Sequence, residues 1–304
     1  MIEKENVSQS TLFLSENQNS NGISVIVPVF NEEKGIKNVI KGIQEVLCSE
    51  NINYEIIVVD DCSTDRSPEI LASLDGIKYI RHPRNIGYGG ALKTGIKNAK
   101  NNHIVITDGD GTYPNEVIPE LIKYLGKYDM VVGARAISDE NIPLIRKPIK
   151  HMLGKLANYL SETDIPDLNS GLRAFEKSIA LRFYKMLPSG FSFTTTITLA
   201  MHCNGYTVKY IPIKYGKRKG KSKFGPIKDT LNFIQLIWRT IMYFNPLKVF
   251  LPIGGLFFIG FMVSLCIDIF ILADLTEKTL LLFLAFIQIS VIGLLADLID
   301  KRIP

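Results

Sequence analysis

The sequence is poor in the residues that build metal or disulfide frameworks. Its four cysteines (Cys48, Cys62, Cys203 and Cys266) form no CxxC pair and show no metal-ligand spacing. That pattern excludes a zinc finger and predicts reduced thiols, small core residues of a cytosol-facing domain. The four histidines (His82, His103, His151 and His202) lack metal spacing and adjoin no Ser or Cys nucleophile motif, so they read as structural. There is no basic start followed by an apolar stretch of signal-peptide length. Residues 1–21 are rich in Ser, Asn, Gln and Glu, with only Leu12–Leu14 apolar, and read as a disordered polar tail. Acidic residues are missing between Lys209 and Lys228, where eight Lys or Arg fall. With no zinc finger and no aromatic signature of an RNA-binding sheet, that basic run suits anionic lipid or phosphate and argues against nucleic acid.

What is abundant is apolar surface near one end. Of 304 residues, 46% are hydrophobic, and the mean hydropathy of +0.15 is high for a purely soluble chain. Val249–Ile267 and Thr279–Ala296 carry no charge and are bounded by Asp268 and Asp297. Each is about the minimum length for a membrane span. Their short connection predicts a helical hairpin in residues 246–304, with spans near 249–267 and 279–296. Basic residues before the first span (Lys228, Arg239, Lys248) and after the second (Lys301, Arg302) place both termini and the preceding domain in the cytoplasm. Gly254, Gly255, Gly260 and Gly293 offer small surfaces through which two copies could associate. Before the hairpin, residues 226–245 repeat Ile227, Leu231, Ile234, Ile237, Trp238 and Ile241 at helical spacing, opposite Lys228, Asp229, Asn232, Gln235 and Arg239. This predicts an amphipathic helix lying in the membrane interface, or packed on the preceding domain.

From Ile23 onward, apolar strand candidates alternate with helices: 23–29, 54–59, 77–80, 104–107 and 130–132 for strands, and 33–47, 89–100 and 115–125 for helices. Such alternation predicts an α/β domain with a doubly wound, mostly parallel sheet over residues 22–225. Beyond residue 134 the pattern loosens, with helices near 147–160 and 176–186 and a strand at 207–213. Ligands of such sheets bind at the strand carboxyl ends. Asn31 and Glu32, Asp60 and Asp61, and Asp108 and Asp110 would gather there. In an extended segment Asp108 and Asp110 point the same way, and paired carboxylates suit a hard divalent cation; a polar turn is the other reading of Asp-Gly-Asp-Gly. The glycine-rich stretch Arg84–Gly90 lacks the GKS/T ending and does not follow the first strand, so it is no P-loop.

Taken in order, these residues resemble a family. Val27–Glu32 (VPVFNE), Val58–Asp65 (VVDDCSTD) and Asp108-Gly109-Asp110 are similar to the three signatures of family-2 glycosyltransferases with the GT-A fold. Asp167–Arg173 (DLNSGLR) and Lys217–Lys223 (KRKGKSK) look like the branch of dolichyl-phosphate mannose synthases and polyprenyl-phosphate glycosyltransferases, whose bacterial and archaeal members carry a similar membrane hairpin. The resemblance implies that Pro28, Phe30, Glu32, Asp60, Asp61, Asp108 and Gly109 hold a nucleotide-sugar. Capping of the following helix is the other reading of Asp60 and Asp61. It implies that Asp108 and Asp110, with Thr112 where relatives often place Gln, hold Mg²⁺ or Mn²⁺. It also implies that Arg135, Arg146, Arg173, Arg218, Ser222 and Lys223 bind an acceptor phosphate, while Asp167 orients acceptor or sugar. Gln235–Arg239 contains the residues of the QxxRW motif of processive synthases with Trp and Arg transposed, and reads as chance.

The expected activity is inverting transfer of one hexose from a GDP- or UDP-sugar to a polyprenyl or dolichyl phosphate on the cytoplasmic leaflet. Two alternatives remain open at this point: transfer to a sugar hydroxyl, which would require Asp167 as a base, and a non-catalytic membrane protein that only binds nucleotide-sugar.

Overall fold

The structure, a computed structural model, describes residues 22–135, 154–155, 158–159, 162–190, 192–216, 242, 246–272 and 274–302. The predicted amphipathic helix at 226–245 falls almost wholly outside them. The chain divides into two units, residues 1–143, 166–201 and 205–224 in one and the remainder in the other.

The first unit is built on a seven-stranded sheet of order β3-β2-β1-β4-β6-β5-β7. The strands are β1 (Ile23–Val29), β2 (Tyr54–Asp60), β3 (Ile77–Arg81), β4 (His103–Ile106), β5 (Met130–Arg135), β6 (Arg173–Glu176) and β7 (Val208–Ile213). β1 pairs in parallel with β2 on one side and β4 on the other. Strand order therefore reverses direction at the β1–β4 boundary, the place where open α/β sheets leave a crevice at their carboxyl ends. β1 is buried at every residue because helices cover both faces, which is why it reads as one apolar run. Val25, Val27 and Val29 meet Ile36, Val39, Ile40 and Ile43 of helix α1 (Ile36–Ser49) in the main core. On the opposite face α3 (Tyr88–Asn98) lies so close to Ile26 that a Cβ on Gly95 would sit 2.4 Å from it. Between these, α2 (Ser67–Ala72) follows β2, and α4 (Ile118–Lys123) follows a 3-10 turn at Asn115–Val117.

Three elements depart from the sequence expectation. β6 is antiparallel to both β4 and β5 and makes the sheet mixed. It was hidden because Arg-Ala-Phe-Glu is four residues long and begins and ends on charge. The helix expected at 176–186 contracts to α5 (Lys177–Arg182). α6 (Phe193–Cys203) was not expected at all, since its run of threonines favours strands over helices. Burial from Phe193 to Met201 overrides that propensity, and Thr196 and Thr198 return their hydroxyls to Ser192 and Thr194 carbonyls four residues back. The cysteines are also a correction. Cys48 and Cys266 are exposed and Cys62 and Cys203 half-buried, so they are free thiols but not core residues.

The second unit contains α7 (Leu247–Ile267) and α8 (Glu277–Arg302), both long and apolar enough to cross a membrane. They pack through Phe258 on Phe286 and Phe261 on Phe283, with ring centroids 5.0 and 4.9 Å apart. Asp268, expected as a charged boundary, instead continues the first helix as a single π turn over Asp268–Leu272. Its carboxylate is buried and accepts bonds from Thr276 N, Thr276 Oγ1 and Thr279 Oγ1, closing the hairpin. The glycines expected between copies are mostly engaged within the hairpin. A Cβ on Gly293 would sit 2.6 Å from Phe250, one on Gly254 3.4 Å from Ser290 Oγ, and one on Gly260 3.8 Å from Leu282, while Gly255 alone faces open space.

Candidate active site

Loops after β1 and β2 are stitched together at the crevice. Asn31 N donates to Ser63 Oγ, Glu32 N to Ser67 Oγ and Glu33 N to Asp65 Oδ2, while Thr64 N returns a bond to Asn31 Oδ1. Asn31 has φ 56° and Cys62 φ 63°, a left-handed conformation that short polar side chains tolerate best. Pro28 stays inside β1, and half-buried Phe30 and Glu32 follow it at the crevice edge.

Asp60 and Asp61 both carry protein partners. Asp60 is fully buried; its Oδ1 accepts Ser63 N, and its Oδ2 lies 3.2 Å from both Tyr79 Oη and Arg81 Nε. Asp60 thus holds the turn after β2, and it does not cap the helix that follows, which begins only at Ser67. Burial, and then the Asp60 charge, pushes the Tyr79 phenol up to about 12, so it remains a donor. Asp61 brackets the glycine-rich loop: Oδ1 accepts Ile86 N and lies 2.8 Å from His82 Nδ1, and Oδ2 accepts Gly87 N. His82 Nε2 reaches Thr94 Oγ1 on α3 at 2.9 Å. The helix start itself is plugged, because Gly89 N and Gly90 N donate to the carbonyls of Gly190 and Ser189. Those donors serve the chain's own turn, which is the structural reason the stretch cannot act as a phosphate loop.

Beyond β4 the chain turns at Asp108–Gly111, with Gly111 at φ +75°. The alternation that would point Asp108 and Asp110 the same way applies to extended backbone, so each aspartate is instead placed by its own neighbours. Asp108 Oδ1 accepts the Tyr88 hydroxyl at 2.9 Å. A Cβ on Gly171 would lie 2.7 Å from either Asp108 oxygen, so glycine is what lets the carboxylate stand there. Gly109 also packs closely, its Cβ position 3.1 Å from Ile36 and 3.4 Å from Pro28 O. Asp110 Oδ1 accepts Thr112 Oγ1 at 2.6 Å and Thr112 N at 3.1 Å. Thr112, expected in the metal shell, is a buried support that aims Asp110. A cleft of about 380 Å³ opens beside Asp110, lined by Lys34, Asn38, Thr112, Glu116 and Lys214.

Among the described residues no three His, Cys, Asp or Glu converge on one point. Two carboxylates do fit a hard divalent cation that takes its remaining oxygens from a substrate diphosphate and water. The glycine cradle at Asp108, which any side chain would fill, agrees with that donor set.

Arg135 ends β5 and Asp167 lies opposite. Arg135 Nε donates to Asp167 Oδ2 at 2.7 Å, Nη2 to Oδ1 at 2.8 Å, and the Arg135 backbone N to Oδ2 at 3.1 Å. The guanidinium also stacks over Tyr215, 5.4 Å from the ring centroid, and Tyr215 meets Tyr113 edge-on at 5.1 Å. Tyr113 Oη accepts Gly171 N at 2.7 Å, and Gly216 N donates to Thr112 O at 2.8 Å. Burial pushes the Asp167 carboxyl up, but the Arg135 bonds outweigh it and hold the group below its ordinary range. A depressed carboxyl adds stability above the unfolded value near 3.8 that is lost as pH falls through the lower folded value. We therefore expect wild type to lose its stability advantage over Asp167→Asn as pH drops from 5 to below 3.8. Urea unfolding at each pH measures it, and a constant advantage contradicts the pair.

Arg173 is a correction. It begins β6 and is fully buried, donating to the carbonyls of Ser170 and Thr194 and to Thr198 Oγ1, so its side chain does not face an acceptor in solvent. Arg146, Arg218, Ser222 and Lys223 lie outside the described residues. Tyr88, His82, Tyr113 and Tyr215 were missed as site residues, because no spacing in the sequence announces a tyrosine that reaches an aspartate twenty positions away.

Residues 24–183 match glycosyl transferase family 2, and residues 245–301 match the GtrB C-terminal hairpin. A dolichol-phosphate mannosyltransferase of Pyrococcus furiosus is 31% identical over 73% of this chain and 64% of its own length, so the chain spans just under two thirds of that relative. A dolichyl-phosphate hexose transferase of Haloferax volcanii is 28% identical over 67% of this chain and 87% of that protein. Glucosyl-3-phosphoglycerate synthase of Mycobacterium tuberculosis, solved with phosphoglyceric acid, aligns with a TM-score of 0.61 at 17% identity, over 75% of this chain and 82% of that one. At that identity the likeness shows the fold alone, a GT-A-like mixed sheet with its helices. The family match takes in more than half of the chain and every strand from β1 to β6, and with it both aspartates of the β4 turn: the chain belongs to glycosyl transferase family 2.

Proposed function

We propose that this chain transfers one hexose, with inversion, from a nucleotide-sugar to a polyprenyl or dolichyl phosphate at the cytoplasmic membrane surface. The observation that carries the acceptor class is the Arg135–Asp167 pair. An acceptor hydroxyl needs a general base, and Asp167 is bonded twice by the Arg135 side chain and held more acidic than an ordinary carboxyl. A phosphomonoester needs none, being mostly dianionic at neutral pH with a second pKa near about 6. Asp167 then serves as the post that presents Arg135, whose remaining N–H donors suit phosphate oxygens. The names of the archaeal relatives support the same acceptor class, and the two apolar helices supply a route to a lipid.

Asp108 and Asp110 would hold Mg²⁺ or Mn²⁺, and the neighbouring fold is solved with manganese, with magnesium and with UDP-glucose. The bound cation would neutralise charge on the departing diphosphate. Tyr88 and Thr112 fix the two carboxylates, and Gly171 leaves the room in which Asp108 stands.

Purified protein with Mn²⁺ or Mg²⁺ is to be incubated with a panel of UDP- and GDP-hexoses and a polyprenyl phosphate in detergent. The expected product carries one hexose per lipid phosphate, from one donor of the panel. Transfer to a sugar hydroxyl, with no lipid-phosphate product from any donor, would overturn the acceptor assignment.

A further inference from the structure

We propose that Tyr88 is a positioning residue of the metal site, fixing the direction in which Asp108 presents its carboxylate. The inference rests on the metal reading above and adds to it a residue outside the three acidic motifs. A carboxylate just beyond a strand end can turn about two side-chain bonds, and a group that hydrogen-bonds one oxygen stops that rotation. The Tyr88 hydroxyl does so at Asp108 Oδ1.

An orienting group is useful only if it is itself immobile, and the chain around Tyr88 is held on both sides. Before it, Ile86 N and Gly87 N are bonded to the two oxygens of Asp61, and Asp61 is in turn braced by His82. Behind it, Gly89 N and Gly90 N are bonded to Gly190 O and Ser189 O. Gly87 has φ +103°, and a Cβ there would lie 2.5 Å from Ser189 O, so this approach tolerates only glycine. His82 closes the arrangement by reaching Thr94, about 1.7 turns further along the helix that Tyr88 begins. Asp61 and His82 thereby act on the metal carboxylate from a distance, through the loop that carries Tyr88. This gives both residues a part that does not require either to touch nucleotide.

The test is Tyr88→Phe, which keeps the ring and removes one oxygen. Mn²⁺ binding is measured by titration calorimetry and by the electron paramagnetic resonance signal of free Mn²⁺, with UDP and with GDP, on the full-length protein in detergent. We expect Mn²⁺ affinity to fall about ten- to a hundredfold, the usual effect of losing a hydrogen bond to a ligand. The thermal midpoint without metal should stay unchanged, and the KM for the donor should move less than the metal requirement. Mn²⁺ affinity within twofold of wild type overturns the positioning role while leaving the metal reading standing. Failure of wild type itself to bind Mn²⁺ with either nucleotide overturns both. His82→Gln, which keeps the reach of Nε2 but lacks the nitrogen that faces Asp61, is expected to weaken Mn²⁺ binding in the same direction; an unchanged affinity would remove the Asp61–His82 brace from the inference.

Discussion

Replacing Asp110 by Ala is expected to lower kcat/KM about thousandfold, roughly 4 kcal/mol of transition-state stabilisation. The residue sits on the turn beyond β4, half-buried, with its Oδ1 aimed by the Thr112 hydroxyl and backbone N–H. At the proposed metal site, removing it would take away one of two protein carboxylates and leave Asp108 to hold the cation alone. The fold should survive, since what is lost in packing is one side chain at a crevice mouth, worth about 1 kcal/mol. The measurement is steady-state transfer across a Mn²⁺ series, with thermal unfolding as the control. Thr112→Val should show a weaker form of the same defect, about ten- to a hundredfold. Full transfer activity in Asp110→Ala would remove metal catalysis at this turn.

Arg173→Ala is expected to destabilise the catalytic domain by about 3–5 kcal/mol, the range for large buried side chains cut back to alanine. Arg173 heads the large side chains that are fully buried, and its donors serve Ser170 O, Thr194 O and Thr198 Oγ1. Alanine leaves a cavity and strands those acceptors away from water, each a further penalty of about 1–3 kcal/mol where no water replaces the donor. For a domain of this size the midpoint should fall by about 6–20 °C. At a temperature where the variant is still folded, its KM for polyprenyl phosphate should equal that of wild type. An unchanged midpoint with a raised acceptor KM would restore Arg173 to the phosphate site.

The contrast between Arg135 and Arg173 marks where the sequence stopped being informative. Both stand in motifs that family resemblance ties to the acceptor, and both follow a glycine within two positions. One ends a strand and reaches Asp167; the other begins a strand that runs the opposite way and points into the core. Nothing local distinguishes them, because the difference is made by β6 threading antiparallel between β4 and β5. The strands at the sheet centre were legible for the opposite reason. β1 and β2, covered on both faces, must be apolar along most of their length, and β4 shares that pattern. The acidic ends of these strands followed, since turn chemistry and strand length locate them within a residue or two. What joined them was not legible: Tyr88 to Asp108, His82 to Asp61 and Gly171 under Asp108 are contacts across the fold between residues with no shared period. α6 failed through propensity, its threonines outvoted by a site buried on all sides.

Gly216 has one further consequence. Its N–H is tied to Thr112, which in turn holds Asp110, so the basic segment starting at Lys217 is leashed to the aspartate turn. Seven residues separate that anchor from Lys223, and a chain pulled straight covers no more than about 3.6 Å per residue. Any phosphate gripped by Lys223 therefore lies within about 25 Å, plus one side-chain length, of the Gly216 anchor. For the proposed acceptor, the leash sets an upper limit on how far the gripped phosphate can stand from the aspartate turn, whatever the length of the lipid.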